Sequence, residues 1–370
     1  MRAEAQELKG LKSDLNLFTR LLIVSQSREL NFFISFSYEN QLFPPSLSKD
    51  GDLYLGTKSD ILTILEKLID APPGPVRCDG VVYDGAALVH VLRPRLAKKF
   101  GDYWPLDLKP SISRDARNLG AERVDFVFDN YDALSLKRTT REQRGSRVRR
   151  RVLPQNDMPR NWQDFMRNPS NKKDLFQLLA YTTLSDKDIA AVVTNIAETI
   201  VASSSVKSAL AGVSCVKQEE ADGRMYLHVS DMLLTGGLRR VKLRTVDSDV
   251  VVIGISYYHK LRGSGLAELW VDFGLGKQHR YIAAHLIAIE LGEEKATALR
   301  GFHAISGCDT CISNRWEGEE VSLGLLDSYA RGHCSATGDI DAVQRNFHTH
   351  DGHFSEVCGA CLSGRYLCNH

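Results

Sequence analysis

The chain has 370 residues, of which 43% are hydrophobic and 25% are charged, and its formal net charge is +1. These values are typical of a globular protein with a buried core, and they exclude a polycationic chain, so any nucleic-acid-binding surface must be a local patch. No apolar run reaches the roughly 18–20 residues that a membrane helix needs, and the N-terminus lacks the apolar region of a signal peptide. We therefore expect an intracellular protein with no membrane partner, located in the nucleus or the cytoplasm.

The first predicted helix lies just before a predicted domain boundary. Residues 58–70 have the apolar spacing of an amphipathic helix, and the segment APPGP at 71–75 is a strong structural break. We expect an N-terminal extension with helical segments, a main domain and a C-terminal tail, over residues 1–75, 76–325 and 326–370.

Two apolar strands are each predicted to end in an aspartate. The strand at 80–84 ends in Asp84 and is followed by a helix-like run, and the strand at 124–129 ends in Asp129. Because parallel strands of an open sheet bring their carboxyl ends to one edge, where ligands bind, we expect both side chains at that edge. An alternative for Asp84 is that it only caps the helix that follows.

A dense cationic stretch follows the second strand, at residues 137–151, where Glu142 is the only acidic residue. Such a run repels itself unless it meets an anion, and phosphates are the natural partner, although a solvated face is the alternative. Trp162 and Phe165, further along, are better explained as a local apolar anchor than as a surface that stacks on bases. The predicted nucleic-acid-binding residues are Lys137, Arg138, Arg141, Arg144, Arg147, Arg149, Arg150 and Arg151.

The pattern Thr-Val-Asp-Ser-Asp places two carboxylates directly after a β-branched strand at 241–246. Asp247 and Asp249 are separated by one serine, and acids this close repel each other unless a cation lies beside them. A metal ion is the usual solution. A turn in which the second aspartate, Asp249, caps the next segment is the alternative.

Other acids lie in two places. Glu219, Glu220 and Asp222 precede a helical run, where acids also suit the positive end of a helix, and Asp309 lies in a turn of small residues. The remaining predicted elements are strands at 190–195 and 268–273 and helices at 171–183 and 281–291. Carboxylates that converge without histidine or cysteine suit Mg²⁺ or Mn²⁺, and next to a cationic stretch they fit two-metal phosphodiester hydrolysis.

The order of these motifs resembles the PIN-like nucleases of the flap-endonuclease and XPG type. The matching segments are VVYDGAA, FVFDNY with the basic stretch, EEAD, TVDSDVVV and SGCDT, and the resemblance covers residues 10–315. Within that superfamily the segments FHAISGCDT, TVDSDVVV and NWQDF are most similar to an uncharacterised animal group that is often associated with mobile elements.

The resemblance implies an α/β fold of the PIN-like, 5'-3' exonuclease-like type, with a mainly parallel sheet between helices. It also implies a nuclease that uses two Mg²⁺ or Mn²⁺ ions on DNA or RNA, single-stranded or branched, with residues 137–170 as a basic arch-like insertion. The positions it assigns to metal binding and catalysis are Asp84, Asp129, Glu220, Asp222, Asp247, Asp249 and Asp309.

The sequence departs from that family at two places. Gly223 replaces a common threonine after EEAD, and the segment after Asp309 lacks the Gly-Lys-rich helix–turn–helix that grips duplex DNA. Two other functions therefore stay open: a catalytically inactive module that binds nucleic acid or protein, and a haloacid-dehalogenase-type phosphatase in which Asp247 is the nucleophile. The tail from residue 326 is predicted to be disordered, with zinc binding by its cysteines and histidines as the alternative.

Overall fold

The computed structural model describes residues 59–70, 73–129, 148–194, 200–203 and 221–306, together with single positions elsewhere (11, 12, 15, 18, 19, 22, 26, 48, 49, 52, 53, 206, 208 and 326). Several predictions concern residues outside this part of the chain. The tail, apart from residue 326, and most of the N-terminal extension lie outside it; of the extension, the structure describes residues 59–70 and 73–75 and the single positions given above. The predicted site residues outside it are Lys137, Arg138, Arg141, Arg144, Arg147, Glu219, Glu220 and Asp309.

The described residues form nine strands. Two short ones pair with each other only, and the other seven form the central sheet. The strands are β1 Ser48–Lys49, β2 Asp52–Leu53, β3 Gly80–Asp84, β4 Arg123–Val127, β5 Val192–Thr194, β6 Ile200–Ala202, β7 Arg240–Thr245, β8 Glu268–Phe273 and β9 Arg280–Ala283.

The helices lie between these strands. They are α1 Asp60–Glu66, α2 Gly85–Val91, α3 Phe100–Tyr103, α4 Lys109–Leu119, α5 Trp162–Met166, α6 Pro169–Leu184, α7 Ala221–Gly236, α8 Ser248–Gly263 and α9 Ala284–Ser306, with a π-helical turn at Trp104–Leu108 and a 3₁₀ turn at Gly276–Gln278. The last helix is broken at Gly292, which has a φ of 76°.

The order of the sheet is β6-β5-β4-β3-β7-β8-β9. The five inner strands are parallel, and the edge strands β6 and β9 are antiparallel to their neighbours. This order places β3 between β4 and β7, with Asp84 opposite Val127 of β4. The carboxyl ends of three neighbouring strands therefore meet at one edge, which is where an open parallel sheet binds ligands.

Apolar side chains fill both faces of the sheet, because successive residues of a strand point to opposite sides. On β3, Val82 belongs to a core shared with α1, α7, α8 and α9, while Val81 and Tyr83 belong to a second core that contains residues of α2 to α6. The helix α1, which lies before the predicted boundary at 71–75, thus contributes Ile61, Leu62 and Leu65 to the core of the sheet.

The sheet also buries two cationic side chains, each of which forms ion pairs with two carboxylates. Lys242 of β7 is fully buried, and its ammonium group lies 2.6 Å from Asp115 and 3.4 Å from Asp272. On the other face, Arg123 lies 2.7 Å from both Asp125 and Asp231. Such pairs persist in a core because each charge is offset by the opposite charge beside it.

The prediction of an α/β fold with a mainly parallel sheet and helices on both faces is confirmed. All five predicted strands are present, within one or two residues of the expected bounds. The helix expected at 281–291 is wrong in its first part, because residues 280–283 form β9 and pair with β8. Trp162 and Phe165 are buried and form the expected apolar anchor. In the described parts of the chain, no helix is both long enough and apolar enough to cross a bilayer.

Candidate metal centre

Three strand ends and one helix start supply the predicted acids that the structure describes. Asp84 ends β3, Asp129 lies two residues beyond β4, Asp247 and Asp249 follow β7, and Asp222 lies in the first turn of α7. Asp84 is buried and the other four are half-buried. The acids thus lie on elements that end or begin at the carboxyl edge of the sheet, although they come from positions far apart in the chain.

Asp222, Asp247 and Asp249 form a tight cluster. Each offers a carboxylate oxygen, and the three oxygens lie within 4.8 Å of one another. Like charges at this distance repel, so the arrangement is unfavourable unless a cation offsets it. We call these three residues the acidic triad.

The turn after β7 fixes two members of the acidic triad. Asp247 is the N-cap of α8, and its carboxylate accepts a hydrogen bond of 3.0 Å from the backbone N–H of Asp249. The hydroxyl of Thr245 in turn accepts the backbone N–H of Asp247 at 3.1 Å. A capped turn is therefore present, but its cap is Asp247 and not Asp249, the second aspartate, as the alternative supposed. The cap coexists with the cluster of carboxylates.

Asp84 is held at the end of β3 by hydrogen bonds to both of its oxygens. The backbone N–H groups of Ala86 and Ala87 donate to Oδ1 at 2.9 and 3.0 Å, and the hydroxyl of Thr245 donates to Oδ2 at 3.1 Å. Burial raises the pKa of Asp84 to about 7, with a further contribution from the nearby carboxylates of Asp129 and Asp247. These donors do not offset the burial and repulsion, so a cation at this edge would stabilise the ionised form.

Two contacts join the start of α7 to the end of β4. The backbone N–H of Ala221 donates to Oδ1 of Asp129 at 3.1 Å, and the buried guanidinium group of Arg224 donates to the carbonyl of Phe128. These contacts place Asp222 at the same edge as Asp129. No local pattern indicates this role of Arg224, because its partner lies 96 positions away.

A glycine allows β3 and β4 to end side by side. A Cβ atom on Gly85 would lie 2.1 Å from Cδ1 of Phe128, well inside contact distance. The ring of Phe128 is buried and packs against Phe176 at 5.0 Å between centroids. The close approach of Gly85 and Phe128 thus keeps the neighbouring residues Asp84 and Asp129 within electrostatic reach.

His303 of α9 is a contact that sequence reasoning missed. Its Nε2 lies 3.0 Å from Oδ1 of Asp249, and its side chain is 6% exposed. The stretch FHAISGCDT was noted for its aspartate, and nothing in the local pattern shows that its histidine lies against an acid 54 positions earlier.

The described end of the basic stretch is fixed to α6. Arg149 lies 2.7 Å from Asp174 and 3.1 Å from Asn171, and the backbone N–H of Arg150 donates to the same asparagine at 2.8 Å. Arg149, Arg150 and Arg151 are all exposed. Their contact with nucleic acid stays a prediction, as does the role of the basic residues outside the described part of the chain.

The chemistry of the donors fits a hard divalent cation. The acidic triad offers three carboxylate oxygens, and Mg²⁺ and Mn²⁺ prefer oxygen ligands. Asp84 and Asp129 add two carboxylates close to the triad, since Asp84 is in electrostatic contact with both Asp129 and Asp247. The residues present are therefore suited to metal binding, although their role as ligands remains a prediction.

Comparisons with known proteins give structural similarity only. No protein-family model and no curated protein matches the chain. Among solved structures, it is similar to the catalytic core of Rad2 in complex with DNA substrate (13% identity, 85% of this chain and 82% of that one, TM-score 0.39). It is also similar to the T5 D15 protein co-crystallised with metal ions (12%, 76% and 85%, 0.38) and to human GEN1 in complex with Holliday junction DNA (14%, 84% and 66%, 0.41).

Proposed function

We propose that this protein is a divalent-metal-dependent nuclease that hydrolyses phosphodiester bonds of DNA or RNA. The observation that carries the proposal is the acidic triad, three carboxylates within 4.8 Å of one another at the carboxyl edge of the sheet. The order of the sequence motifs supports a place among the PIN-like nucleases of the flap-endonuclease and XPG type, next to the group associated with mobile elements.

The acids divide into two sets of proposed ligands. Asp222, Asp247 and Asp249 would hold one ion, and Asp84 and Asp129 would hold a second. Glu220 and Asp309, which lie outside the described residues, are proposed to complete the shell. Two bound ions supply an activated water and neutralise the charge that develops on the scissile phosphate.

The chain itself supplies orientation and substrate binding in this proposal. The helix cap holds Asp247 relative to Asp249, and the hydroxyl of Thr245 bonds to Asp84, so the carboxylates keep their positions before any ion arrives. The basic stretch at 137–151 would bind the phosphates of a single-stranded or branched substrate through charge and counterion release.

The test uses labelled single-stranded DNA, flap DNA and single-stranded RNA, each incubated with purified protein and either Mg²⁺ or Mn²⁺. We expect cleavage that EDTA abolishes and that the substitution Asp249→Asn reduces to near background, because a metal ligand is lost. The control is Asp188→Asn, since the side chain of Asp188 is 79% exposed and pairs only with the surface residue Lys109 among its described contacts. It should cleave like the wild type.

Other outcomes identify the other functions. Binding of the labelled strands without cleavage in either metal would indicate a catalytically inactive module. Release of phosphate from a small monoester, lost in Asp247→Asn, would indicate the phosphatase. The phosphatase would also need a lysine downstream of its nucleophile and a second acidic pair, and Asp309 stands alone in the sequence.

A further inference from the structure

We infer that His303 is a positioning residue that orients the carboxylate of Asp249 for metal binding. The inference rests on the proposed function, since it assigns a role within the same site. Its basis is the direct contact of 3.0 Å between Nε2 of His303 and Oδ1 of Asp249, a member of the acidic triad.

The packing of α9 on α8 places His303 at this point. Leu299, one turn earlier, is buried in the core that also contains the buried residues of α8, and Phe302 packs against the same core. The guanidinium group of Arg300 stacks over the ring of Tyr257 at 4.7 Å. These contacts fix α9 along α8. The packing of the two helices therefore sets the position of the buried His303 relative to Asp249.

The hydrogen-bonding pattern assigns the proton of the imidazole ring. An ionised carboxylate can only accept, so Nε2 carries the proton and donates it to Asp249. The other ring nitrogen, Nδ1, is buried and has no hydrogen-bond partner among the described residues. A proton there would be a buried donor without an acceptor, so the contact assigns the ring proton that bonds to Asp249 to Nε2.

An imidazole is suited to this place. A lysine or an arginine against Asp249 would bring a permanent positive charge that opposes a metal ion, whereas the Nε2–H of an imidazole orients the carboxylate through a single hydrogen bond. Hydrogen bonds of this kind from residues behind the ligands typically change metal affinity or activity by about 10–100-fold when they are lost.

The experiment compares two amides at the same position. In His303→Gln, the side-chain nitrogen takes about the place of Nε2, and in His303→Asn it is one bond too short to reach Asp249. We measure the affinity for Mn²⁺ by calorimetry and the metal dependence of phosphodiester cleavage. We expect His303→Asn to bind Mn²⁺ about 10–100-fold more weakly, and His303→Gln to stay within about threefold of the wild type.

His285 supplies the matched control. It lies in the same helix and is buried to a similar degree, but its Nδ1 contacts the backbone carbonyl of Leu269 at 3.0 Å. We expect His285→Asn to lower thermal stability without changing Mn²⁺ affinity. If His303→Asn does not fold, the test rests on His303→Gln. A loss of Mn²⁺ affinity of tenfold or more in His303→Gln contradicts a role for the Nε2 donor.

The results separate this inference from the proposed function. Wild-type protein that neither binds Mn²⁺ nor cleaves any strand overturns the proposed function and the inference with it. Wild-type protein that binds and cleaves, with equal Mn²⁺ affinity in His303→Asn, overturns the inference alone. An equal loss of affinity in His303→Asn and His285→Asn also overturns it, since the histidines then act only through stability.

Discussion

The acidic triad predicts that removing one of its carboxylates stabilises the metal-free protein. At about 4 Å, two unit charges repel by about 1 kcal/mol in water and by about 4 kcal/mol at an effective dielectric constant near 20. An oxygen of Asp222 lies within 4.8 Å of oxygens of both Asp247 and Asp249, and all three residues are half-buried. Its two pairs therefore contribute a repulsion of at least about 2 kcal/mol.

The substitution Asp222→Asn removes this repulsion and keeps the shape of the side chain. It also removes a favourable interaction between a carboxylate and the first turn of α7, which is about 0.3–1 kcal/mol. The net gain in the free energy of unfolding is then about 1 kcal/mol, which in a chain of 370 residues corresponds to a rise in Tm of about 1 °C.

Thermal unfolding in EDTA measures the repulsion within the acidic triad, and thermal unfolding at increasing Mn²⁺ concentration measures the role of Asp222 as a ligand. In EDTA, we expect Asp222→Asn to unfold at a higher temperature than the wild type. In Mn²⁺ the order reverses, because a site that is saturated at 100 times its Kd gains about 2.7 kcal/mol and the variant has lost a ligand. The exposed variant Asp188→Asn should follow the wild type in both conditions. If Asp222→Asn unfolds at a lower temperature than the wild type in EDTA, the repulsion is refuted. If Mn²⁺ raises the Tm of Asp222→Asn as much as that of the wild type, the role of Asp222 as a ligand is refuted.

Three further predictions concern the surroundings of the site. Gly85→Ala should separate the ends of β3 and β4 through the clash with Phe128, so we expect a lower Tm and weaker Mn²⁺ binding, with Gly263→Ala, where a Cβ meets nothing within 4 Å, as the control. Burial opposes ionisation of Asp79, but hydrogen bonds from Arg240 and neighbouring backbone N–H groups outweigh it and hold the pKa below 3.8. The stability that Asp79 contributes is therefore complete at neutral pH and is lost as the pH falls below about 4, and in acid titrations of stability Asp79→Asn should show a shallower loss than the wild type. Burial raises the pKa of the Cys78 thiol to about 12, so mass spectrometry should find Cys78 alkylated at pH 8 only after unfolding.

The fold could be predicted where a single segment carries enough information. The β-branched runs at Val81–Tyr83 and Val250–Ile253 illustrate the limit, because both are apolar but only the first is a strand. The second follows the cap at Asp247 and forms α8. The sequence predicts no helix over residues 248–263, because a run of valines and isoleucine is typical of a strand. It likewise does not separate β9 from α9, because the hydrogen bonds of β9 go to β8 and its residues continue without a break into the apolar pattern of α9.

The candidate site could be predicted in its acids but not in their supports. Each acid follows an apolar strand or begins a helix, and this pattern is visible in the sequence. Arg224 and His303 lie within helices among ordinary residues, and their partners are 96 and 54 positions away. Only the packing of α7 on β4 and of α9 on α8 shows that they touch the site.

A comparison of three acids indicates why the edge of the sheet differs from the rest of the fold. Asp79 and Asp186 both lose contact with water, yet bonds from Arg240 and from Lys109 with Trp104 hold the pKa of each below its usual value. Asp84 loses contact with water too, but the charges nearest to it are other carboxylates, and its pKa rises to about 7. The chain thus supplies cations for the first two acids and further anions for the third. A divalent ion at this edge, as proposed for the second metal site, would therefore stabilise the ionised form of Asp84 beyond what its hydrogen-bond donors provide.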